Sequence, residues 1–488
     1  RSQPLSLFFA CLVISGVYPP AVRGEQDQQL MQQYTDLITS RGQQAPEAAP
    51  QPTRRVDPRI QKIAAEISEE RIAGIMRKLE SFETRNTVSD PGQTNRGIGV
   101  ARQWIFDEFK SYSPRLQVSF DTHTISKTNR IYKDVELRNV VAVLPGMMKQ
   151  AANRWIIVSG HYDSVNLKDA AALRNQPEKA AELPAPGVSD DGSGTACAME
   201  CARVLSQYEF DATLVFVAFA GEEQGLVGAH AMARRLKLRG QEIEAVLNND
   251  IIGTEVSGKG ASDKRRVLVF SEDPNDSTSR QLSRFVRLVG AQYFPEMTVE
   301  MIFRHDRFGR GGDHTAFNGE GYAAVRFTTP NENFSQQHSA EDTFANASVG
   351  YAAKVIRVNA IAAASLALAP RPPVTVASQA TSAGANAHAR PGLTRGASGY
   401  DAVLRWEQAD PEPDLAGFIV VVRSTQAPDW EREIWASDVR EFTLRNTPID
   451  QFVFGVKAVD REGHESPVSA YVIEQPRTTP STIPEQGR

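Results

Sequence analysis

Thr213-Leu214-Val215-Phe216-Val217-Ala218-Phe219-Ala220-Gly221-Glu222-Glu223-Gln224-Gly225 decides the class of fold. After Thr213 the run is apolar without alternation, the mark of a strand buried on both faces, as in an α/β sheet covered by helices. It ends on two acids between glycines. Two carboxylates at the end of a buried strand cannot both face a water-free interior without a cation. One can hold a metal ion while the other handles protons. A helix start is the alternative, since Glu is favoured near a helix N-terminus.

Working outward, similar short apolar runs recur at 138–146, 155–159, 244–248, 266–270 and 323–328. Helical spacing lies between several of them, at 195–205, 225–238 and 277–289, and before them at 58–81 and 98–109. An Ala-rich segment, 346–368, reads as a long closing helix. Buried strands alternating with helices predict an α/β domain, with a mixed, mostly parallel sheet flanked by helices.

Four more polar clusters stand at the ends of predicted strands or just before a helix. They are His161-Tyr162-Asp163, Gly187-Val188-Ser189-Asp190-Asp191-Gly192-Ser193-Gly194, Asn248-Asn249-Asp250 and Gln337-His338-Ser339-Ala340-Glu341-Asp342. Small residues around Asp190 let the backbone turn sharply and leave a carboxylate approachable from two sides, as a ligand bridging two ions must be. Asp250 closes a buried strand, which is costly unless the acid is paired or metal-bound. Each cluster alone also reads as an ordinary capped or hydrogen-bonded loop. In open α/β sheets, however, ligands gather at the carboxyl ends of strands, so the five clusters could converge. One His, one Asp, one Glu, a second Asp and a second His from the five clusters would then give each of two ions one His and two carboxylates, sharing one Asp. Such N and O donors suit catalytic zinc.

With 488 residues the chain is long enough for two or three domains, and its composition is globular, 41% hydrophobic and 23% charged. A net charge of -5 gives no reason to expect nucleic acid as a partner. Residues 1–24 have the layout of a signal peptide, with an apolar run from Leu5 to Val17, and predict a secreted or periplasmic protein. No transmembrane span is expected in the mature chain. Lipid anchoring at Cys11 is disfavoured by Phe8 and Phe9 ahead of it. Cys197 and Cys201, four apart on a predicted helix, are poorly placed for a disulfide and read as small core residues.

Residues 25–57 read as a flexible leader and 58–368 as the α/β domain. Residues 369–398, rich in Pro, Ala, Ser and Gly, read as a linker with a first strand at Val374-Thr375-Val376. Alternating strands then predict a small β-sandwich over 399–476, followed by a tail, 477–488. Trp406, the Phe418 strand, Leu444 and Phe454-Gly455-Val456-Lys457-Ala458-Val459-Asp460 resemble a fibronectin type III domain, which implies a surface for protein contact.

The five polar clusters, in this order, resemble the M28 family of zinc aminopeptidases, and Asn139-Val140-Val141-Ala142 and Thr84-Arg85 fit it as well. The resemblance covers about residues 60–365. It implies a zinc-exopeptidase fold, two Zn2+ per chain, and peptide or protein N-termini as substrate. It further implies that Asp190 bridges the ions, that His161 and Asp250 complete one site, and that Glu223 and His338 complete the other. Glu222 would be the general base, Asp163 would orient His161, and the Asp190–Asp191 peptide bond would be cis. The sequence departs from some members in lacking a Tyr beside the last His, where Gln337 and Ser339 stand instead. His305, Asp313 and His314 could line the pocket or be structural. Glutaminyl cyclases share the fold and most of the motifs but use one zinc. A carboxypeptidase or dipeptidase of the same fold, and an inert binding protein, also remain open.

Overall fold

A computed structural model of the chain describes residues 51–53, 56–173, 175–272, 275–305, 311–375, 377–378 and 390–471. The expected signal peptide, Cys11, nearly all of the leader, and the tail lie outside them. The chain from Gln51 onward forms one compact unit.

Its centre is an eight-stranded sheet. In chain order the strands are β1 (Gln117–Ile125), β2 (Val135–Leu144), β3 (Arg154–His161), β4 (Thr213–Phe219), β5 (Glu242–Asn249), β6 (Arg266–Ser271), β7 (Thr298–Phe303) and β8 (Ala324–Thr328). Their spatial order is β1-β2-β4-β3-β5-β8-β6-β7. The middle, β4-β3-β5-β8, is parallel, while β1, β2 and the β6–β8 pairing are antiparallel. Every residue of β4 is buried, as the unbroken apolar run requires. The sheet is thus mixed and mostly parallel at its core, as expected from the sequence.

The helices are α1 (Pro58–Ala65), α2 (Glu69–Glu80), α3 (Ile98–Tyr112), the short α4 (Leu167–Ala170) and α5 (Pro177–Ala181), α6 (Ser193–Leu205), α7 (Val227–Leu238), α8 (Thr278–Tyr293), α9 (Asp313–Gly319) and α10 (Val349–Leu368). Their ends follow local chemistry. Ser68 caps α2 by accepting from the Arg71 N–H, and Glu69 and Glu70 sit in its first turn, where the helix dipole favours them. Ile72, Ile75, Met76 and Leu79 form its buried stripe. Helix α10 is apolar and long enough to cross a membrane, but 89% of its most apolar 18-residue stretch is buried, so it is a core helix. Cys197 and Cys201 are free, buried thiols on α6.

Close packing places α6 against the sheet. A Cβ on Gly160 of β3 would lie 2.2 Å from the main chain of Gly194, so only glycine allows the start of α6 to abut the strand.

The C-terminal strands are β9 (Val374–Thr375), β10 (Ala377–Ser378), β11 (Arg390–Pro391), β12 (Leu393–Arg395), β13 (Ala402–Glu407), β14 (Leu415–Ser424), β15 (Arg432–Ser437), β16 (Glu441–Leu444), β17 (Phe452–Asp460) and β18 (Ser469–Ala470). Two small antiparallel sheets, β12-β13-β16 with β9 at the edge and β15-β14-β17-β18, enclose a core of Leu404, Trp406, Phe418, Val420, Phe454 and Val456. These residues alternate along their strands, so one face of each strand makes this core.

The other face of β14 is also buried, with Ile419 and Val421 packed beside Trp430 and Trp435. Trp430 donates its indole N–H to Gln281 on α8 (3.2 Å). Arg423 donates to both carboxylate oxygens of Asp276, which directly precedes the Ser277 cap of α8 (2.6 and 2.5 Å). At the end of the sheet away from His161, Arg154 pairs with Glu244 and, at 3.1 Å, with Glu412. The stretch expected to be an exposed linker starts as packed chain: Ala369 is buried, its carbonyl accepts from Arg154, and Arg371 pairs with Glu242. Val374 and Thr375 do pair as a strand, with β13, while Val376 and 379–389 lie outside the described residues.

Candidate metal centre

The carboxyl ends of β3, β4 and β5 converge on one site. His161 is the last residue of β3, Glu222 and Glu223 follow β4, and Asp250 follows β5. Asp190 comes from the loop before α6, and His338 from the loop after β8, where it adopts a φ of 53°. All five expected ligands are therefore brought together.

Together with Glu222 they fall into two groups of potential ligand atoms, each within 4.8 Å: His161, Glu222 and Asp250, and Asp190, Glu223 and His338. Asp190 spans both, with Oδ1 3.3 Å from His161 Nε2 and Oδ2 3.0 Å from His338 Nε2. Asp250 Oδ1 and Glu222 Oε2 each lie 3.9 Å from His161 Nε2, and Glu223 Oε1 lies 3.3 Å from His338 Nε2. Glu222 thus stands at ligand range of the first group and is set apart from Glu223, its neighbour in sequence.

His161 Nε2 and Glu223 Oε1 are buried without a hydrogen-bond partner. A buried polar atom left in this way is costly. Nitrogen and carboxylate donors in two adjoining groups, with such atoms aimed between them, fit divalent zinc.

The electrostatics agree. Burial pushes Glu222 well above the usual carboxylate range, and Asp250 and Glu223 add to it against His161. Burial and the charge of Asp190 push Glu223 up to about 7. For Asp190, burial is outweighed by the close imidazoles of His161 and His338, which hold it well below its ordinary value. Burial disfavours a charged His338, but Asp190 and Glu223 raise it to about 11. Acids outnumber bases here, and protons are shared among groups that a cation would hold together.

The adjacent aspartates have separate tasks, and the peptide bond between them is cis. Asp191 faces main-chain donors: Oδ1 accepts from Gly194 N (2.8 Å) and Ile251 N (3.2 Å), and Oδ2 from His161 N (3.1 Å). It staples three ligand-bearing segments without facing the histidines.

Asp163 also differs from its expected form. His161 Nδ1 lies 3.1 Å from the Asp163 main-chain carbonyl and 3.5 Å from its carboxylate. The carboxylate accepts instead from the N–H groups of Glu222 (3.2 Å) and Glu223 (3.3 Å) and from the Thr87 hydroxyl (3.2 Å). One residue thus orients the histidine ring with its backbone and the two glutamates with its side chain. That division depends on how the chain turns after β3, which the spacing of His161 and Asp163 does not encode.

Beside His338, Gln337 donates to Glu332 (3.2 Å), and Ser339 donates to the carbonyl of Gln336 (2.7 Å). Asp313 and His314 are buried at the start of α9, and His305 is largely exposed. His305 and His314 both face Glu272 at 3.3 Å and belong to neither ligand group. Burial pushes Asp313 up to about 8, with Asp163 and Asp250 adding to it. Arg326, unnoticed in the sequence, lies inside β8 with Nε 3.2 Å from Asp250 Oδ2. Its signal was a charged residue within an apolar strand.

Comparison with known proteins agrees with this geometry. Residues 139–363 match the model of peptidase family M28. A probable zinc metalloprotease of Pyricularia oryzae is 36% identical over 449 residues, covering 85% of this chain and 84% of that protein. One from Leptosphaeria maculans is 34% identical, covering 84% and 95%. Among solved structures, the fold is shared with the LapA aminopeptidase of Legionella pneumophila, at a TM-score of 0.50 and 19% identity over 67% of this chain and 82% of that one. LapB of the same organism gives 0.50 and 17%, over 64% and 75%. The chain belongs to peptidase family M28, and the relatives it matches are described as probable zinc metalloproteases.

Proposed function

We propose that the protein is an exported aminopeptidase, which binds two zinc ions and removes the first residue of peptides. The observation that carries this reading is Asp190, which offers one oxygen to each of two histidines. Asp190 would bridge the ions, His161 and Asp250 would hold one, and Glu223 and His338 the other. When bound, the ions would polarise the scissile carbonyl and acidify a water.

The chain's own groups supply the remainder. Glu222, half-buried and 3.9 Å from His161, accepts the proton of the attacking water and returns it to the leaving amine. Asp163 fixes the Glu222–Glu223 turn through two main-chain N–H groups, so the base stays in place through both transfers. A free N-terminus as substrate is the reading suggested by the LapA aminopeptidase, which shares the fold.

A groove of about 660 Å³ opens at the same end of the sheet, lined by Leu268, Phe270, Pro330 and Phe334. Its Thr329 donates to the carbonyl of Ile251, next to Asp250. The groove suits an apolar side chain. The apolar run of Leu5–Val17 supports export.

The test is hydrolysis of a panel of aminoacyl anilides and of matched N-acetylated peptides, run with metal analysis. Release of free amino acids with about two zinc ions per chain is expected. Cleavage of N-acetylated peptides, or release from the carboxyl end, would overturn the aminopeptidase reading, and a single zinc would overturn the bridge.

A further inference from the structure

Arg85 lies behind the centre, wholly buried, on the turn that follows α2 and outside the span matched to the family model. Its guanidinium spends its donors on main-chain carbonyls. Nε donates to Tyr162 (2.6 Å), Nη1 to Leu79 (3.1 Å) and Pro186 (2.5 Å), and Nη2 to Gly187 (2.7 Å). Tyr162 sits between His161 and Asp163. Gly187 opens the loop that carries Asp190, and its carbonyl also accepts from Gly192 N at 2.9 Å. One planar fork therefore ties the β3 limb of the centre to the Asp190 limb.

The same loop is held from its other side by Asp342. The Asp342 carboxylate accepts from Ser189 N (2.9 Å) and Asp190 N (2.9 Å), and its carbonyl from Val188 N (3.0 Å). Ser164 adds a cross-link, accepting from Arg85 N (3.1 Å) and donating to Ala185 O (2.7 Å). The stretch Pro186–Asp190 is thus gripped by the carbonyls of Pro186 and Gly187 on one side and by the amides of Val188, Ser189 and Asp190 on the other.

We infer that Arg85 is a positioning residue for the metal centre: working against Asp342, it sets the main chain of the Gly187–Asp190 loop so that Asp190 presents one oxygen to each histidine. The side-chain hydrogen bonds of Arg85 go to main-chain carbonyls and to none of the five candidate metal ligands, so it acts through that backbone. Charge alone does not suffice, because a lysine ammonium cannot span four carbonyls set by a rigid fork. Burial lowers Arg85 to about 10, while Asp342, Asp163, Asp191 and Asp190 favour its charge, so it remains a cation at neutral pH.

This inference rests on the two-ion reading, and the experiment separates the two. Full-length wild type, Arg85→Lys, Arg85→Ala and Asp342→Asn are stripped of metal and titrated with Zn2+ by calorimetry. The Co2+-loaded forms are read by visible absorption, and kcat and KM are measured on an aminoacyl anilide. Groups that orient metal ligands typically cost about 10- to 100-fold in metal affinity or activity when lost. That loss is expected in Zn2+ affinity and in kcat for Arg85→Lys and Asp342→Asn, with KM changed far less and the Co2+ spectrum altered. Guanidinium added to Arg85→Ala should restore part of kcat. If Arg85→Ala does not fold, the other two variants decide. Wild-type affinity, spectrum and kcat in Arg85→Lys and Asp342→Asn, with only a lower melting temperature, would overturn the inference. A wild type that binds one ion would instead overturn the two-ion reading.

Discussion

Two regions of this molecule bury charge, and they do so in opposite ways. Along the seam between the large sheet and the C-terminal strands, acids meet guanidinium groups. Asp276 receives Arg423 on both oxygens and Arg284 at 3.2 Å, and Arg154 lies between Glu244 and Glu412. At the carboxyl ends of β3, β4 and β5, acids meet mostly other acids and two histidines, and His161 Nε2 and Glu223 Oε1 have no hydrogen bond. A buried charge must be paired or must coordinate an ion. The seam follows the first course and the site the second. Buried acids left in excess therefore distinguish a metal centre from an ordinary interior ion-pair network.

The comparison breaks most visibly at Asp190. Asp190→Ala should lose both ions and with them all measurable turnover, because each ion loses a ligand at once. Metal content after dialysis checks this, and a variant that keeps two zinc ions would remove Asp190 from the bridge. Glu222→Gln comes next. An amide of the same shape cannot accept and return a proton, and general acid–base groups contribute about 100- to 10,000-fold to rate. Turnover should fall by that order with both ions retained, whereas Glu223→Gln should weaken one ion. Should Glu222→Gln be the variant that loses metal, its 3.9 Å approach to His161 is a ligand's position and the two roles are exchanged.

At the seam the same kind of change should act on stability instead. Asp276→Asn leaves Arg423 and Arg284 buried beside a neutral amide. Breaking a buried pair costs about 3 to 5 kcal/mol. Urea denaturation should show a loss of this order, while zinc content and turnover per folded molecule stay as in wild type. A loss of zinc in Asp276→Asn would mean that the two regions are coupled.

Much of this contrast was legible in the sequence. The unbroken run of β4 predicts a strand buried on both faces, and the acids after β4 and β5 stand where such strands end. Those features depend on neighbours in the chain. The tasks of Asp191, Arg85 and Asp342 were not legible, because each acts on main-chain groups brought close only by the turns after β3 and before α6. Asp163 shows the limit well: its spacing from His161 is readable, but which of its atoms faces the ring is not. The seam was missed for a similar reason. A sandwich strand with one core face and one seam face, such as β14, reads as one more apolar strand, and its second partner, α8, lies far away in sequence. Ala369, expected in an exposed linker, is buried because its partner Arg154 is equally distant.

Histidine gives the smallest effect and the sharpest contrast, since the two regions should respond to pH with opposite signs. At the site, burial opposes the charge of His338, but Asp190 and Glu223 raise it to about 11. A zinc ligand must be deprotonated, so acid strengthens a competitor and metal affinity should fall as pH falls. At the seam, His464 lies 2.7 Å from Asp460 and 3.0 Å from Asp57. Burial again opposes its charge, and the two carboxylates again outweigh it, so its folded pKa is raised. Its contribution to stability is therefore complete below its unfolded value of about 6.5 and is lost as pH rises through the raised folded value. Asp57 is lowered, since hydrogen bonds from Arg59 and His464 overcome its burial, so its contribution is present above about 3.9 and is lost as pH falls through the folded value. Both contributions hold between about pH 4 and 6.5. Chelator-treated protein should show, beyond its general pH response, a loss of stability as pH rises above that window, and His464→Gln should remove this part of the slope. Zinc affinity over the same range should rise with pH equally in both proteins. If His464→Gln melts with an unchanged pH slope, the histidine is neutral at the seam and the contrast with His338 fails.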